Sequence, residues 1–290
     1  MARPDQLLLM VFVYLIGVLA GTATYTVAPP SLVSVSVGFG VYLPIALSVH
    51  YANEYADYET DRLTTRTRFS GGSGAFDRLA IDRQLAKYAT IGTGILGGVL
   101  ITVGVVTGVV SLFSGVLLCT IALLGWGYSV GPYPLAWNGL GEIDNALLGG
   151  VLLPWYGLSI AVDGSVPITS VLFFVPFGCA VFCNLLATTW PDRQADAAVG
   201  KFTLATQWPS SSLKRMYFSG VLGIILTTAL AIYIGGLPLF VAIGMLAVTP
   251  LLFWSARQYT AQESPFPTVF VMLLFVTTQV ISWAYLCIIY

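Results

Sequence analysis

The chain has 290 residues, of which 57% are hydrophobic and only 9% are charged. A soluble domain carries about 25% charged residues, so this composition excludes a water-soluble enzyme and a disordered scaffold. The net charge is -1, which leaves no basic surface for nucleic acid. All four cysteines lie in apolar segments, which argues against a secreted disulfide-stapled domain. The composition therefore indicates a polytopic membrane protein whose partner is the lipid bilayer.

Six long segments of the chain contain no Asp, Glu, Lys or Arg. A helix needs about 20 apolar residues to cross a bilayer, and lipid does not tolerate unpaired backbone groups. Pro29-Pro30 divides the first segment, Gly235–Pro238 divides the fifth, and the second is long enough for two helices separated near Gly108–Ser111. We therefore predict an all-α membrane protein with nine transmembrane helices. They are placed near 6–27, 31–58, 84–108, 112–130, 143–162, 167–190, 214–234, 237–257 and 268–289.

The basic residues predict the orientation of this bundle. With nine helices, every Lys and Arg falls on the side of the N-terminus, whereas an eight-helix arrangement with one helix over 88–141 would divide them between both faces. Basic loops are retained in the cytoplasm. We therefore expect a multi-pass protein of the cell membrane with a cytoplasmic N-terminus.

Two groups of acidic residues carry most of the chemical information. The first acidic motif is Asn53, Asp57 and Asp61, and the second is Asp192 and Asp196. Residues four apart share one face of a helix, so each motif presents a row of oxygen atoms. The motifs follow the second and sixth predicted helices, which places both at the cytoplasmic ends. They can face each other there, and opposed carboxylates would repel unless cations lay between them.

Oxygen-only ligands favour Mg²⁺ or Ca²⁺ over zinc or copper. Mg²⁺ usually takes one or two protein carboxylates and completes its shell with water and phosphate oxygens. All five motif residues are therefore predicted metal ligands, for a diphosphate bridged by Mg²⁺, with two ions the favoured number. The four aspartates would also be catalytic, because bound metal stabilises charge on a departing diphosphate. Nearby cations that could hold phosphate oxygens are Arg62, Arg66, Arg68, Arg193 and Lys201. The other charged side chains of these segments, Glu54 among them, are expected only to solvate the cytoplasmic face.

With these motifs, the sequence resembles the UbiA superfamily of intramembrane prenyltransferases, whose NxxxDxxxD and DxxxD motifs follow the second and sixth helices. The resemblance covers essentially the whole chain. It implies that a polyprenyl diphosphate ionises to an allylic cation, which an electron-rich acceptor attacks. Three segments look most like the MenA-like branch, whose aromatic acceptor is 1,4-dihydroxy-2-naphthoate in menaquinone biosynthesis. They are residues 53–61 (NEYADYETD), 191–204 (PDRQADAAVGKFTL) and 139–142 (GLGE).

The resemblance also suggests roles for residues outside the motifs. Tyr128 matches the Tyr of a family Tyr-Ser pair near the reacting carbon, with an interfacial aromatic as the alternative. Glu142 would orient the acceptor or simply begin a helix. Apart from the resemblance, the position of Asn184 on the helix before Asp192 suggests that it lines the cavity or bonds a neighbouring helix. The chain departs from the branch pattern at Glu54, where Asp is common, at Thr60, where Gly is frequent, and in residues 69–74 (FSGGSG). That glycine-rich stretch is either a lid over the diphosphate or a plain connector.

Other functions remain open at this point. Members of the superfamily also use hydroxybenzoate, homogentisate, a glycerol phosphate ether lipid or a carotenoid as acceptor. An ion-coupled transporter is disfavoured, because transporters place ionisable groups near the bilayer midplane and no predicted helix has a central charge. A CDP-alcohol phosphotransferase would need a DxxDGxxAR run, which the chain lacks. We also predict a single domain over residues 1–290, with an internal duplication relating helices 1–4 to 5–8.

Overall fold

The computed structural model of the protein describes residues 4–26, 28–64, 72–76, 81–162 and 166–289. Helices dominate these residues, and their only β-type pairing is an isolated bridge between Asn138 and Phe202. The first half contains α1 (Pro4–Tyr25), α2 (Leu32–Ala56), α3 (Tyr58–Leu63), α4 (Arg83–Val106) and α5 (Leu112–Ser129). The second half contains α6 (Gly141–Leu147), α7 (Leu153–Ala161), α8 (Val175–Thr189), α9 (Arg193–Ala198), α10 (Leu204–Gln207), α11 (Ser210–Leu230), α12 (Leu239–Gln258) and α13 (Phe266–Ile289).

Eight helical segments of the described chain are long and apolar enough to cross a membrane, and they correspond to eight of the nine predicted spans. The predicted all-helical membrane fold is confirmed, but the count of nine is not. At the predicted fifth span, 143–162, the chain forms α6, a π-helical turn over Leu148–Leu152, and α7, which follow one another without a gap from Gly141 to Ala161. Pro154 has no N–H to donate to the carbonyl of residue 150, and an inserted π turn accommodates this loss.

Polar side chains define where several helices begin. Ser31 accepts a hydrogen bond from the backbone N–H of Ser34 at the start of α2. Ser111 does the same for Ser114 at the start of α5, which marks the break expected near Gly108–Ser111. Such caps satisfy backbone donors that have no partner within the helix. The division of the long second apolar segment into two helices was therefore predicted correctly.

The bundle is held together by close backbone approach and by interhelical hydrogen bonds. A β-carbon at Gly157 of α7 would collide with the carbonyl oxygen of Tyr14, and one at Gly17 of α1 with that of Pro154. Small residues of this kind let membrane helices pack tightly. Buried hydroxyls also link helices, as where the Tyr156 hydroxyl donates to the carbonyl of Gly38 at 2.7 Å. Large apolar side chains are exposed around the outside, which suits a surface bathed in lipid.

The ends of α2 and α5 and the starts of α4 and α6 lie at the same end of the bundle. We call this end of the bundle the motif end. The hydroxyl of Ser129, at the end of α5, donates to Asn53 in the last turn of α2 at 3.0 Å. The guanidinium of Arg83, at the start of α4, donates to the carbonyl of Tyr55 at 3.0 Å. The N–H of Leu204 donates to Glu142 at the start of α6 at 3.2 Å. The first acidic motif lies among these contacts, and α9, which carries Asp196 of the second motif, packs against α3 at the same end.

Candidate functional site

The first acidic motif spans a break in the helix. Asn53 lies in the last turn of α2, Asp57 lies between α2 and α3, and Asp61 lies within α3. The predicted helix over 31–58 therefore ends two residues early. The break leaves the spacing of the motif intact, because helical backbone hydrogen bonds continue through it. The N–H of Asp57 donates to the carbonyl of Asn53 at 2.9 Å, and the N–H of Asp61 donates to the carbonyl of Asp57 at 2.8 Å.

The second acidic motif is followed by a tight reversal of the chain. The N–H of Asp196 bonds to the carbonyl of Asp192 at 2.9 Å, so the two residues are one helical turn apart. Gly200 then takes a φ of +74°, a conformation that favours glycine. This turn lets the N–H of Lys201 bond back to the carbonyl of Asp196 at 2.9 Å. Lys201 is thereby held beside the second motif.

The side chain of Lys201 joins the two motifs. Its Nζ lies 2.8 Å from Asp57 Oδ1 and 3.7 Å from Asp196 Oδ1. All three side chains are largely buried, with exposed fractions of 10% for Lys201, 14% for Asp57 and 4% for Asp196. This is the point at which the structure brings together the two distant parts of the predicted site.

Burial and neighbouring charges shift the pKa values of Asp196 and Lys201 in opposite directions. Burial raises the pKa of Asp196 to about 6, although the nearby Lys201 ammonium lowers it in part. Burial alone would lower the pKa of Lys201, but Asp57 and Asp196 outweigh it, so the pKa lies above its ordinary value. A carboxylate pair that keeps a buried lysine protonated is a place where a cation is strongly stabilised.

Two residues predicted from the family resemblance flank this cluster. Tyr128, in the last turn of α5, is half-buried and interacts electrostatically with Lys201 and Asp57. Glu142 is 3% exposed, and its Oε1 accepts from the Leu204 N–H and, at 3.5 Å, from the Thr189 hydroxyl. Glu142 therefore links the start of α6 to the end of α8 and to the segment after Lys201. One of its oxygens is already engaged by the protein.

The other predicted substrate-binding residues occupy different settings. Arg193 pairs with Glu263 through two hydrogen bonds of 2.6 and 2.7 Å, and it lies 3.8 Å above the ring of Trp190. Arg62 is exposed beside the ring of Tyr58. Asn184, on α8, has a buried Oδ1 without a hydrogen-bond partner among the described residues. Arg66 and Arg68 lie outside the described residues.

One part of the site was missed by sequence reasoning. Glu54, expected to be solvated, is only 6% exposed and accepts two hydrogen bonds from Ser73. Gly72, which precedes Ser73 in the chain, lies directly against the carboxylate of Asp61. The expectation was wrong because Glu54 points into the segment after α3 rather than into water. The available signal was that Glu54 and residues 69–74 both depart from the family pattern.

The donor atoms at the motif end fit a hard divalent cation. They are oxygens only, and the positive charge of Lys201 already lies within 4 Å of one carboxylate from each motif, Asp57 and Asp196. Among the described residues, no group of three or more His, Cys, Asp or Glu side chains converges as a ready-made metal cage. Mg²⁺ does not require one, since it takes one or two protein carboxylates and completes its shell with water and phosphate.

Comparison with known proteins connects this geometry to one family. The sequence model of the UbiA prenyltransferase family matches residues 10–278. The fold is similar to that of a UbiA homologue from Aeropyrum pernix K1 in its apo form, with a TM-score of 0.73 and 11% identity over 100% of this chain and 99% of that one. No curated protein matches the chain.

Two further solved structures carry ligands. One is a UbiA homologue from Archaeoglobus fulgidus bound to DMAPP and Mg2+, with a TM-score of 0.62 and 18% identity over 95% of this chain and 96% of that one. The other is a UbiA homologue from Archaeoglobus fulgidus bound to GPP and Mg2+, with a TM-score of 0.61 and the same identity and coverage. At these identities the likeness establishes the fold.

Proposed function

The chain belongs to the UbiA prenyltransferase family, and on this premise we propose that it transfers a polyprenyl group from a polyprenyl diphosphate to an aromatic quinone precursor. It is an integral membrane enzyme with its reacting groups at the motif end. The observation that carries the proposal is the contact of Lys201 with Asp57 and Asp196, which unites the two acidic motifs. An isolated DxxxD would not support this chemistry, whereas two joined motifs do.

Mg²⁺ is the cofactor that this donor set fits. Asp57, Asp61, Asp192 and Asp196, with the amide oxygen of Asn53, would hold it, and we propose two ions bridged by the diphosphate. When bound, Mg²⁺ stabilises negative charge on the departing diphosphate. The Archaeoglobus fulgidus relatives were solved with Mg2+ and prenyl diphosphates, which supports the assignment.

The protein's own side chains supply the remaining functions. The ammonium of Lys201 is positioned to bind a diphosphate oxygen, since it already lies between the carboxylates that would share the metal. The ring of Tyr128, at the end of α5, would offer a π face to the allylic cation. The carbon–oxygen bond to diphosphate breaks with its electron pair leaving on oxygen. A ring carbon of the acceptor then forms the new bond to the allylic carbon, and that ring carbon loses a proton, or its carboxyl group as carbon dioxide, to restore aromaticity.

We propose 1,4-dihydroxy-2-naphthoate as the acceptor. The support is the resemblance of residues 53–61, 139–142 and 191–204 to the MenA-like branch. Glu142 and Asn184 lie on α6 and α8 and would contact the acceptor. We also propose that the motif end faces the cytoplasm, because every Lys and Arg falls on the side of the N-terminus in the nine-helix arrangement.

The test is turnover by the purified protein. Geranylgeranyl diphosphate, Mg²⁺ and 1,4-dihydroxy-2-naphthoate should give a prenylated product, and removal of Mg²⁺ by a chelator should abolish it. Hydroxybenzoate, homogentisate, a glycerol phosphate ether lipid and a carotenoid form the acceptor panel, and turnover only with one of these would overturn the naphthoate assignment. Asp57→Ala and Asp192→Ala should each abolish turnover without loss of expression. Asp5→Ala, at an exposed terminal position, is the matched control.

A further inference from the structure

The segment Gly72–Phe76 is docked onto the first acidic motif. Ser73 bonds to Glu54, Gly72 lies against Asp61, and the ring of Phe76 packs edge-on to Tyr58 with centroids 5.2 Å apart. We infer that Glu54 is a positioning residue, which anchors this segment and thereby fixes the carboxylate of Asp61 for metal binding. The inference rests on the proposed function, since it takes Asp61 to be a metal ligand.

Two hydrogen bonds anchor Ser73 to Glu54. The backbone N–H of Ser73 donates to Glu54 Oε1 at 2.9 Å, and its hydroxyl donates to Oε2 at 2.6 Å. Both oxygens of a carboxylate that is 6% exposed are thus engaged by one residue. Hydrogen bonds to an ionised acceptor are stronger than neutral ones. Glu54 therefore holds Ser73 in one position relative to the end of α2.

The residues around Ser73 form a tight turn. Gly72 and Gly74, on either side of Ser73, have φ values of +65° and +73°. Left-handed backbone at both positions suits glycine. The Ser73 hydroxyl also accepts from the N–H of Ala75 at 3.2 Å, which closes the turn locally. A rigid turn transmits the anchor at Ser73 to the neighbouring Gly72.

Gly72 brings this turn into contact with Asp61 of the first acidic motif. A β-carbon at Gly72 would occupy the space of the Asp61 carboxylate, so the bare backbone of Gly72 forms one wall beside that group. Groups that orient a metal ligand commonly contribute about 10–100-fold to metal affinity or activity. Glu54 and the stretch 69–74 are both departures from the family pattern, and the structure brings Glu54 into contact with Ser73 of that stretch.

The experiment measures how Mg²⁺ dependence responds to loss of the anchor. In the prenyl-transfer assay, Glu54→Ala and Ser73→Ala should each raise the half-saturating Mg²⁺ concentration, by about tenfold for Glu54→Ala. Turnover at saturating Mg²⁺ should stay within about twofold of the unmodified enzyme, because the reacting groups remain. The double variant should be no worse than Glu54→Ala, since both changes break one contact. Glu54→Gln, which keeps the length and one acceptor oxygen, should recover part of the Mg²⁺ affinity.

A second readout needs no turnover. Thermal unfolding of the purified protein is followed as Mg²⁺ alone is added, and the anchor variants should need more Mg²⁺ for the same stabilisation. Gly72→Ala should show the largest shift. Gly236→Ala is its matched control, because Gly236 has a φ of +75° and nothing within 4 Å of an added β-carbon. The control therefore carries the same backbone strain without the contact to Asp61.

The outcomes separate this inference from the proposed function. If the unmodified protein shows neither turnover nor Mg²⁺-dependent stabilisation, the proposed function fails and the role of Glu54 fails with it. If the unmodified protein depends on Mg²⁺ but Glu54→Ala and Ser73→Ala have unchanged half-saturating concentrations, only the role of Glu54 is overturned. Should Glu54→Ala not fold, Ser73→Ala and Gly72→Ala decide the matter.

Discussion

Lys201 donates a 2.8 Å hydrogen bond to Asp57, a residue 144 positions earlier in the chain. The same ammonium lies 3.7 Å from Asp196, so one buried cation balances a carboxylate from each acidic motif. Removing one partner of such a buried cluster leaves uncompensated charge, which is costly. The contact therefore links the assembly of the motif end to the charge balance of the site.

The first prediction concerns this lysine. Lys201→Met keeps an unbranched side chain but leaves Asp57 and Asp196 without their shared cation, and it removes the proposed ligand of the diphosphate. We expect kcat/KM for the polyprenyl diphosphate to fall on the order of 100-fold, about 2.7 kcal/mol of transition-state stabilisation. Steady-state kinetics with varied donor measures it, with the exposed Lys87→Met as control. A donor KM and kcat equal to those of the control would contradict the assigned role.

The second prediction concerns Arg193, which the sequence placed among the diphosphate ligands. Because its guanidinium is held by Glu263 and by the carbonyl of Trp190, we expect Arg193→Gln to change the donor KM far less than Lys201→Met. Glu263→Gln should lower the unfolding temperature less than Arg193→Gln does, because only Arg193→Gln also removes the contacts with the carbonyl and ring of Trp190. A large rise in donor KM for Arg193→Gln alone would restore the diphosphate role.

The same pair predicts a pH effect. The hydrogen bond from Arg193 holds the pKa of Glu263 below its ordinary value of 4.5. A carboxyl group with a lowered pKa in the folded state contributes stability above its ordinary pKa, and this contribution is lost as the pH falls through the lowered pKa. Unfolding temperatures of the unmodified protein and of Glu263→Gln should therefore converge in acid. A constant difference down to strongly acidic pH would show that Glu263 acts through something other than its charge.

The third prediction tests the packing of α1 against α7. Gly157→Ala places a methyl group on the carbonyl of Tyr14 and should destabilise the fold by a few kcal/mol, about the cost of overpacking. Gly98→Ala, on α4, meets nothing within 4 Å and should be neutral or slightly stabilising through helix propensity. Thermal unfolding in detergent compares the two. Equal unfolding temperatures would mean that the close helix contact does not exist.

Much of the fold could be predicted from the sequence because lipid imposes simple constraints. Charge-free segments located eight spans, and the spacing of Asn53, Asp57 and Asp61 survived a helix break because local backbone hydrogen bonds continue through it. The fifth predicted span is helical without a gap from Gly141 to Ala161, but its π turn was not predicted, since the effect of Pro154 on the turn around residue 150 is not visible in hydropathy. The duplication of helices 1–4 and 5–8 stays a prediction.

The site was less accessible to sequence reasoning wherever it depends on partners that are distant in the chain. The pairing of Arg193 with Glu263 requires the segment between α12 and α13 to return to the end of α8, which no local pattern encodes. The partners of Glu54 were hidden for the same reason. Lys201 was predicted to be a phosphate ligand, and this stays a prediction, but its contact with Asp57 emerged only from the packing of the two motifs.

The central claim is that both acidic motifs hold one metal–diphosphate group. The most direct measurement is an experimental structure of the protein with Mg²⁺ and a non-reactive thiolodiphosphate analogue of geranyl diphosphate. We predict density for the diphosphate at the motif end, with metal contacted by at least one carboxylate from each of the two motifs. A diphosphate bound elsewhere, or metal held by one motif alone, would contradict the account.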